Sequence, residues 1–171
     1  MLMKKTTYLL FAIISFLFIA TRSDAQQSNP QDYKFAAGLK FGGFENGISL
    51  KYFMDTNTAL EGVIGFRQNG VVITGLYEIH QEVFDVKELR FYYGFGAHIG
   101  SIGKGTYRRF NGSDETYNTA QLLLGGDGVA GLEYAIPNSP IAVSLDLNPR
   151  VELATGPFFD IAPGLGIKYA F

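Results

Sequence analysis

The chain has 171 residues, enough for one domain, with net charge −2, 21 glycines, 15 phenylalanines, 10 tyrosines and neither cysteine nor tryptophan. The lack of cysteine excludes a disulfide framework, a thiolate metal site, a cysteine nucleophile and a lipidated-cysteine anchor. The slight acidity, with no basic stripe, argues against a nucleic-acid partner.

Lys4 and Lys5 precede an apolar run from Tyr8 to Ala20. That run has the length of a signal-peptide core and is short for a membrane helix, which needs roughly 20 residues. Ser23 and Ala25 supply the small residues for cleavage before Gln26. Residues 1–25 are therefore expected to be a signal peptide, 26–32 a short polar lead-in with Pro30, and 33–171 one folded domain.

Period-two alternation, the strand period, then recurs to the last residue. The first strand, about 33–42, sets Tyr33, Phe35, Ala37, Leu39 and Phe41 against Lys34, Ala36, Gly38 and Lys40. The second, about 47–54, sets Ile48, Leu50 and Tyr52 against Ser49, Lys51 and Phe53. Asp55, Thr56 and Asn57 form a turn. The third, about 58–67, sets Leu60, Ile64 and Phe66 against Glu61, Val63 and Arg67. Asn69-Gly70 signals a hairpin into the fourth, about 71–81, where Val71, Ile73, Tyr77 and Ile79 oppose Val72, Thr74, Leu76, Glu78 and His80.

A charged turn over 84–88 leads to the fifth strand, about 89–100, with Leu89, Phe91, Tyr93, Phe95 and Ile99 against Arg90, Tyr92 and His98. Residues 101–118 read as a long polar loop. The sixth strand, about 120–136, opposes Leu122, Leu124, Leu132 and Tyr134 to Asp127, Val129 and Glu133. The seventh, about 141–151, opposes Ile141, Val143, Leu145 and Leu147 to Ser144, Asp146 and Arg150. The eighth, 158–171, opposes Phe159, Ile161, Leu165, Ile167, Tyr169 and Phe171 to Asp160 and Lys168.

One face of every strand is apolar and the other holds glycine and charge. No stretch after residue 25 suits a membrane helix, because glycines and charges interrupt each apolar run. An even set of such strands predicts an all-β, eight-stranded antiparallel up-and-down transmembrane β-barrel, since a lipid-facing sheet must close on itself. The alternative is a soluble barrel such as a lipocalin, with its apolar face inward around a ligand. Short turns follow the second, fourth and sixth strands, and the longest connection follows the fifth. This pattern predicts an outer-membrane location with both termini in the periplasm. The aromatics Tyr33, Phe35, Tyr52, Tyr77, Phe91, Tyr134, Tyr169 and Phe171 are expected to form one interfacial girdle, and Phe41, Phe66 and Phe159 the other.

A barrel of eight strands is only wide enough for side chains to fill, and buried charges must pair. Lys51, Glu61, Glu78, Arg90 and Glu133, joined by Lys168, are expected to form a lumen charge network. This network fills the lumen, or lines a narrow ion or small-solute path. Lys104, Arg108 and Arg109, beside Tyr107, Phe110 and Tyr117, offer a surface-loop contact for lipopolysaccharide phosphates, or a merely solvated loop. Catalysis has one candidate pairing, His98 with Ser101, and no spaced triad motif supports it. No metal-ligand spacing or cofactor motif is present. The expectation is a non-enzymatic protein without cofactor, a lipid A-modifying barrel being the third alternative.

Several stretches carry a resemblance: Ala59-Leu60-Glu61-Gly62 with Gly65-Phe66-Arg67, Gly75-Leu76-Tyr77-Glu78-Ile79-His80, Tyr92-Tyr93-Gly94, Gly131-Leu132-Glu133-Tyr134, Ser144-Leu145-Asp146 with Pro149, and Ile167-Lys168-Tyr169-Ala170-Phe171. Together they resemble the small outer-membrane barrels common in Bacteroidetes, similar in architecture to the barrel domain of OmpA. The resemblance covers most of 33–171. It implies that the barrel assembly machinery, helped by periplasmic chaperones, recognises the terminal aromatics Tyr169 and Phe171. It brings no catalytic residues. The chain is expected to lack OmpA's peptidoglycan-binding domain, so that anchoring role is not implied.

Overall fold

In the computed structural model the described residues are 33–43, 46–67, 69–108, 114–154 and 158–171. The expected signal peptide and lead-in lie outside them. Alternating side chains and short turns give ten strands: β1 (Phe35–Gly42), β2 (Asn46–Phe53), β3 (Thr58–Arg67), β4 (Gly70–Val83), β5 (Val86–Ile102), β6 (Gly105–Arg108), β7 (Asp114–Tyr117), β8 (Gln121–Ala135), β9 (Ile141–Glu152) and β10 (Phe158–Ala170). Eight of them close into a barrel in the order β1-β10-β9-β8-β5-β4-β3-β2, and β6 pairs with β7 in a separate hairpin. All barrel neighbours are antiparallel. The expected eight-stranded antiparallel barrel is what the chain forms.

One end of the barrel, the turn end, carries the β2–β3, β4–β5 and β8–β9 connections. Its seam is closed by Phe35 and Phe171, whose backbones exchange hydrogen bonds of 3.1 and 2.8 Å. At the β2–β3 turn, Asp55 accepts the Asn57 amide at 2.8 Å. That bond holds the Asp55 carboxyl below its ordinary pKa. The loop end carries the remaining connections and the β6–β7 hairpin.

Three sequence expectations need correction. The charged turn over 84–88 is a two-residue turn, because the ladder shifts register after Glu82–Arg90 and resumes at Val83–Val86. Phe84 and Asp85 both take positive φ, 58° and 54°, as a type I′ hairpin requires. The polar stretch 101–118 is partly ordered: Ser101 and Ile102 end β5, and β6 and β7 pair from Gly105–Tyr117 to Arg108–Asp114. Tyr33 and Lys34 are exchanged between faces. They precede the pleat of β1, so alternation does not bind them. Tyr33 turns inward to Glu133, and exposed Lys34 places its ammonium 5.8 Å from the Tyr52 ring.

Elsewhere the faces fall as the pattern dictates. Leu39, Ile48, Leu50, Ile73, Phe95, Leu122, Leu145 and Phe159 are exposed on the outside. Lys40, Lys51, Arg90, Arg150 and Lys168 are buried inside, with Glu61, Glu78, Asp127, Glu133, Asp146, Glu152 and Asp160. Apolar packing inside is limited among the described residues to small clusters. Val72, Ile102, Tyr107 and Leu123 pack at the loop end, and Leu76, Tyr92 and Val129 pack deeper.

Candidate functional site: the charged lumen

Inward positions on five strands converge near the turn end. Lys51 Nζ lies 2.8 Å from Glu78, 2.9 Å from Glu133 and 3.4 Å from Glu61. Lys168 Nζ reaches Glu61 at 3.2 Å and Glu133 at 3.9 Å. Two cations thus serve three carboxylates with almost no exposure to water. Such a cluster persists only because each charge has opposite charges or donors around it. Ser49 donates to Glu61, and Tyr33 donates to Glu133 at 2.6 Å.

Tyr92 joins this cluster to the rest of the lumen. Its ring lies 4.6 Å from Lys51 Nζ and stacks on His80 at 5.1 Å. Its hydroxyl donates to Asp146 at 2.5 Å. Asp146 in turn pairs with Lys40 at 3.2 Å and accepts from Asn148. His80 Nε2 meets Glu78 at 3.0 Å. Glu78 Oε1, His80 Nδ1 and Ser144 Oγ are buried without a hydrogen-bond partner.

A second cluster lies toward the loop end. His98 Nδ1 is 2.7 Å from Asp127, and its Nε2 is 2.9 Å from Glu152. Arg150 Nε donates to the other Asp127 oxygen at 2.6 Å and Nη2 to Thr74 at 3.3 Å. The Leu124 amide donates to the other Glu152 oxygen at 2.7 Å. Gly125 makes room here, since a Cβ on it would stand 2.6 Å from His98 Cε1. A cavity of about 40 Å³, lined by Lys40, Thr74, Asp127, Asn148 and Arg150 among others, adjoins this cluster. At roughly 10–15 Å³ per water it holds about three waters.

Of the sequence-derived network, Lys51, Glu61, Glu78, Glu133 and Lys168 come together. Arg90 sits nearer the turns, where Nη1 reaches the Thr56 carbonyl at 3.4 Å and the guanidinium lies 5.9 Å from the Phe53 ring. Sequence reasoning missed Tyr33, Tyr92 as a link, and Glu152. Continuing the seventh strand's alternation two residues beyond Arg150 would have found Glu152. The His98–Ser101 pairing does not form. Residues three apart on a strand point to opposite faces; His98 is buried inside and Ser101 is exposed outside.

At the loop end Lys104 is exposed. Arg108 pairs through its backbone with Asp114, and Arg109 lies outside the described residues. Tyr107 points inward instead, with its hydroxyl donating to the Gly103 carbonyl at 2.7 Å and Arg67 over its ring at 5.2 Å. Tyr169 and Phe171 are outward and exposed, and Phe171 stacks on Phe35 at 6.1 Å.

No family model matches the chain, and no curated protein matches it by sequence. Among solved structures it is similar to Neisserial surface protein A (NspA), at 12% identity over 80% of this chain and 94% of that one, with a TM-score of 0.49. It is also similar to Ail, the attachment invasion locus protein of Yersinia pestis, at 15% identity over 80% of this chain and 93% of that one, with a TM-score of 0.40. At these identities and scores, neither neighbour's role carries over to this chain.

Proposed function

We propose that this protein is an integral outer-membrane barrel with a closed, charge-filled lumen, and that it acts structurally or through its surface at the cell envelope. The observation that carries this reading is the inversion of the barrel. Side chains exposed around its whole circumference are apolar, with Phe95 69% and Leu145 62% exposed, while the charged side chains are buried within. Soluble monomers rarely expose a contiguous apolar patch beyond a few hundred Å². Hydrocarbon accepts such a surface, and closure leaves no strand edge to satisfy. Six of the barrel strands run 10 to 17 residues, against the roughly 9–11 that a bilayer requires. The aromatic pairs Phe35–Tyr52 and Tyr77–Phe95, at 4.8 and 5.7 Å, suit a headgroup-level belt.

In this reading residues 1–25 export the chain and the turn end faces the periplasm. Tyr169 and Phe171 are presented to the barrel assembly machinery, with periplasmic chaperones as transient partners. Lys104, Arg108 and Arg109 are the surface-loop residues read as meeting lipopolysaccharide phosphates. The likeness to small Bacteroidetes barrels rests on the sequence stretches named above. The protein is read as non-enzymatic: His98 is engaged on both nitrogens by carboxylates, and Ser101 lies on the opposite face. A narrow pore is disfavoured by the ion pairs that cross the lumen.

The test is outer-membrane fractionation with heat-modifiable gel mobility, followed by planar-bilayer recording. The expected result is a membrane-resident band that shifts on boiling, with no steady large conductance at neutral pH. A freely soluble protein without the shift would refute the membrane assignment. A large steady current would refute the closed lumen.

A further inference from the structure

We infer that His98 is a proton-operated latch on the loop-end half of the lumen: its ring carries both protons when the plug is closed, and loss of one loosens the plug. This rests on the closed-lumen reading above. The two ring nitrogens face carboxylate oxygens, Asp127 of β8 at 2.7 Å and Glu152 of β9 at 2.9 Å. A nitrogen facing a carboxylate must donate, and only the doubly protonated ring donates from both sides. The second oxygen of each carboxylate accepts a further hydrogen bond. Asp127 takes Arg150 Nε and Glu152 takes the Leu124 amide.

The other groups around the ring sharpen the argument. On the neighbouring strand β4 the register partner of His98 is Thr74, whose hydroxyl accepts from Arg150. From β10, buried Asp160 pairs in register with Arg150. Around His98, one guanidinium therefore faces three carboxylates, and the imidazolium supplies the next positive charge. The Lys40 ammonium of the adjoining cavity is engaged by Asp146. Removing the His98 proton strands one carboxylate opposite a bare nitrogen beside that cavity, which then favours entry of water and cations.

His80 is the internal contrast. Its Nε2 faces Glu78, which also accepts Lys51, and its Nδ1 has no partner. Glu61, Glu133, Lys168, Arg90 and the Tyr33 and Tyr92 hydroxyls lie around that cluster. One donor is required there, at Nε2.

The chain has only two histidines, so long-range ¹H–¹⁵N spectra of the labelled full chain, refolded in detergent micelles, read both rings, with His80→Gln for assignment. At pH 7.5 free imidazole is about one-tenth charged. The expected spectrum shows two protonated nitrogens on His98. A neutral His98 at that pH overturns the inference. Glu152→Gln should shift His98 toward the neutral form and leave His80 unchanged; an unmoved His98 also overturns it. On alkaline titration the resonance of the Leu124 amide, which donates to Glu152, should move as His98 loses its charge. A Leu124 amide unmoved through that transition overturns the latch. The spectra report the ring wherever the folded barrel resides, so failure of the membrane assignment would show separately, as a missing heat-modifiable shift.

Discussion

Lys51 of β2 and Glu133 of β8 meet at 2.9 Å although their strands stand opposite each other in the barrel, four places apart whichever way the ring is followed. A contact across the diameter means that the lumen is occupied at this level. Lys51→Met should therefore open the barrel as well as weaken it. It leaves Glu61, Glu78 and Glu133 facing Lys168 alone among the network's lysines. Breaking a buried ion pair from one side costs about 3–5 kcal/mol. The expected outcome is a lower urea midpoint for unfolding from micelles, with a bilayer current that the parent chain lacks. An unchanged midpoint would mean that the cluster is wetter than its burial indicates.

Gly125→Ala should act on the second cluster. The added methyl would stand 2.1 Å from the Val151 carbonyl oxygen and 2.6 Å from His98 Cε1. Backbone does not yield cheaply to such a contact, and overpacking of this kind costs about 1–3 kcal/mol. The expected signature is local: His98 ring resonances move while those of His80 stay in place. A parent-like His98 spectrum would mean that the ring has room to move away from residue 125.

Asp55 gives a pH prediction outside the membrane-spanning strands. The Asn57 amide, foremost, holds its carboxyl below the usual value. A depressed carboxyl contributes stability that is present above its unfolded value, about 3.9, and is lost as pH falls through the folded one. The ¹³C carboxyl resonance of Asp55 should titrate below that reference, with the Asn57 amide shift following the same curve. Asp55→Asn keeps an acceptor but removes the charge, so the pH dependence of the Asn57 amide should vanish. Titration of Asp55 at the reference value would show that the turn does not hold in solution.

Most of the barrel was legible because its physics is periodic. Once one face of a strand is apolar, every second residue is fixed, and Lys51, Glu61, Glu78, Glu133 and Lys168 could be placed in one lumen from parity alone. Parity failed where the ladder does not hold the chain. Tyr33 and Lys34 precede β1 and take the faces opposite to those expected, so the Tyr33–Glu133 hydrogen bond was invisible. Glu152 was missed because the seventh strand was ended too early. His98 and Ser101 looked adjacent along the chain, but the pleat separates them. The β6–β7 hairpin was hidden by composition: its charges and glycines read as loop, and only packing shows that Tyr107 belongs inside.

Tyr107 is the residue on which that hairpin's placement turns. Its ring is buried against Val72, Ile102 and Leu123, with Tyr117 alongside, which folds the hairpin onto the loop-end mouth. Two substitutions separate its contributions. Tyr107→Phe keeps the ring and loses the hydrogen bond to the Gly103 carbonyl, worth about 1 kcal/mol. Tyr107→Ala removes the ring and should cost about 3 kcal/mol, the low end for truncating a buried aromatic. Because the cost falls on a peripheral cluster, the barrel should remain folded and heat-modifiable while the hairpin lifts. A cysteine placed at Ile102 in the otherwise cysteine-free chain should then react with a water-soluble maleimide far faster in the Ala variant than in the Phe variant. Equal labelling rates would mean that the hairpin does not cover the mouth.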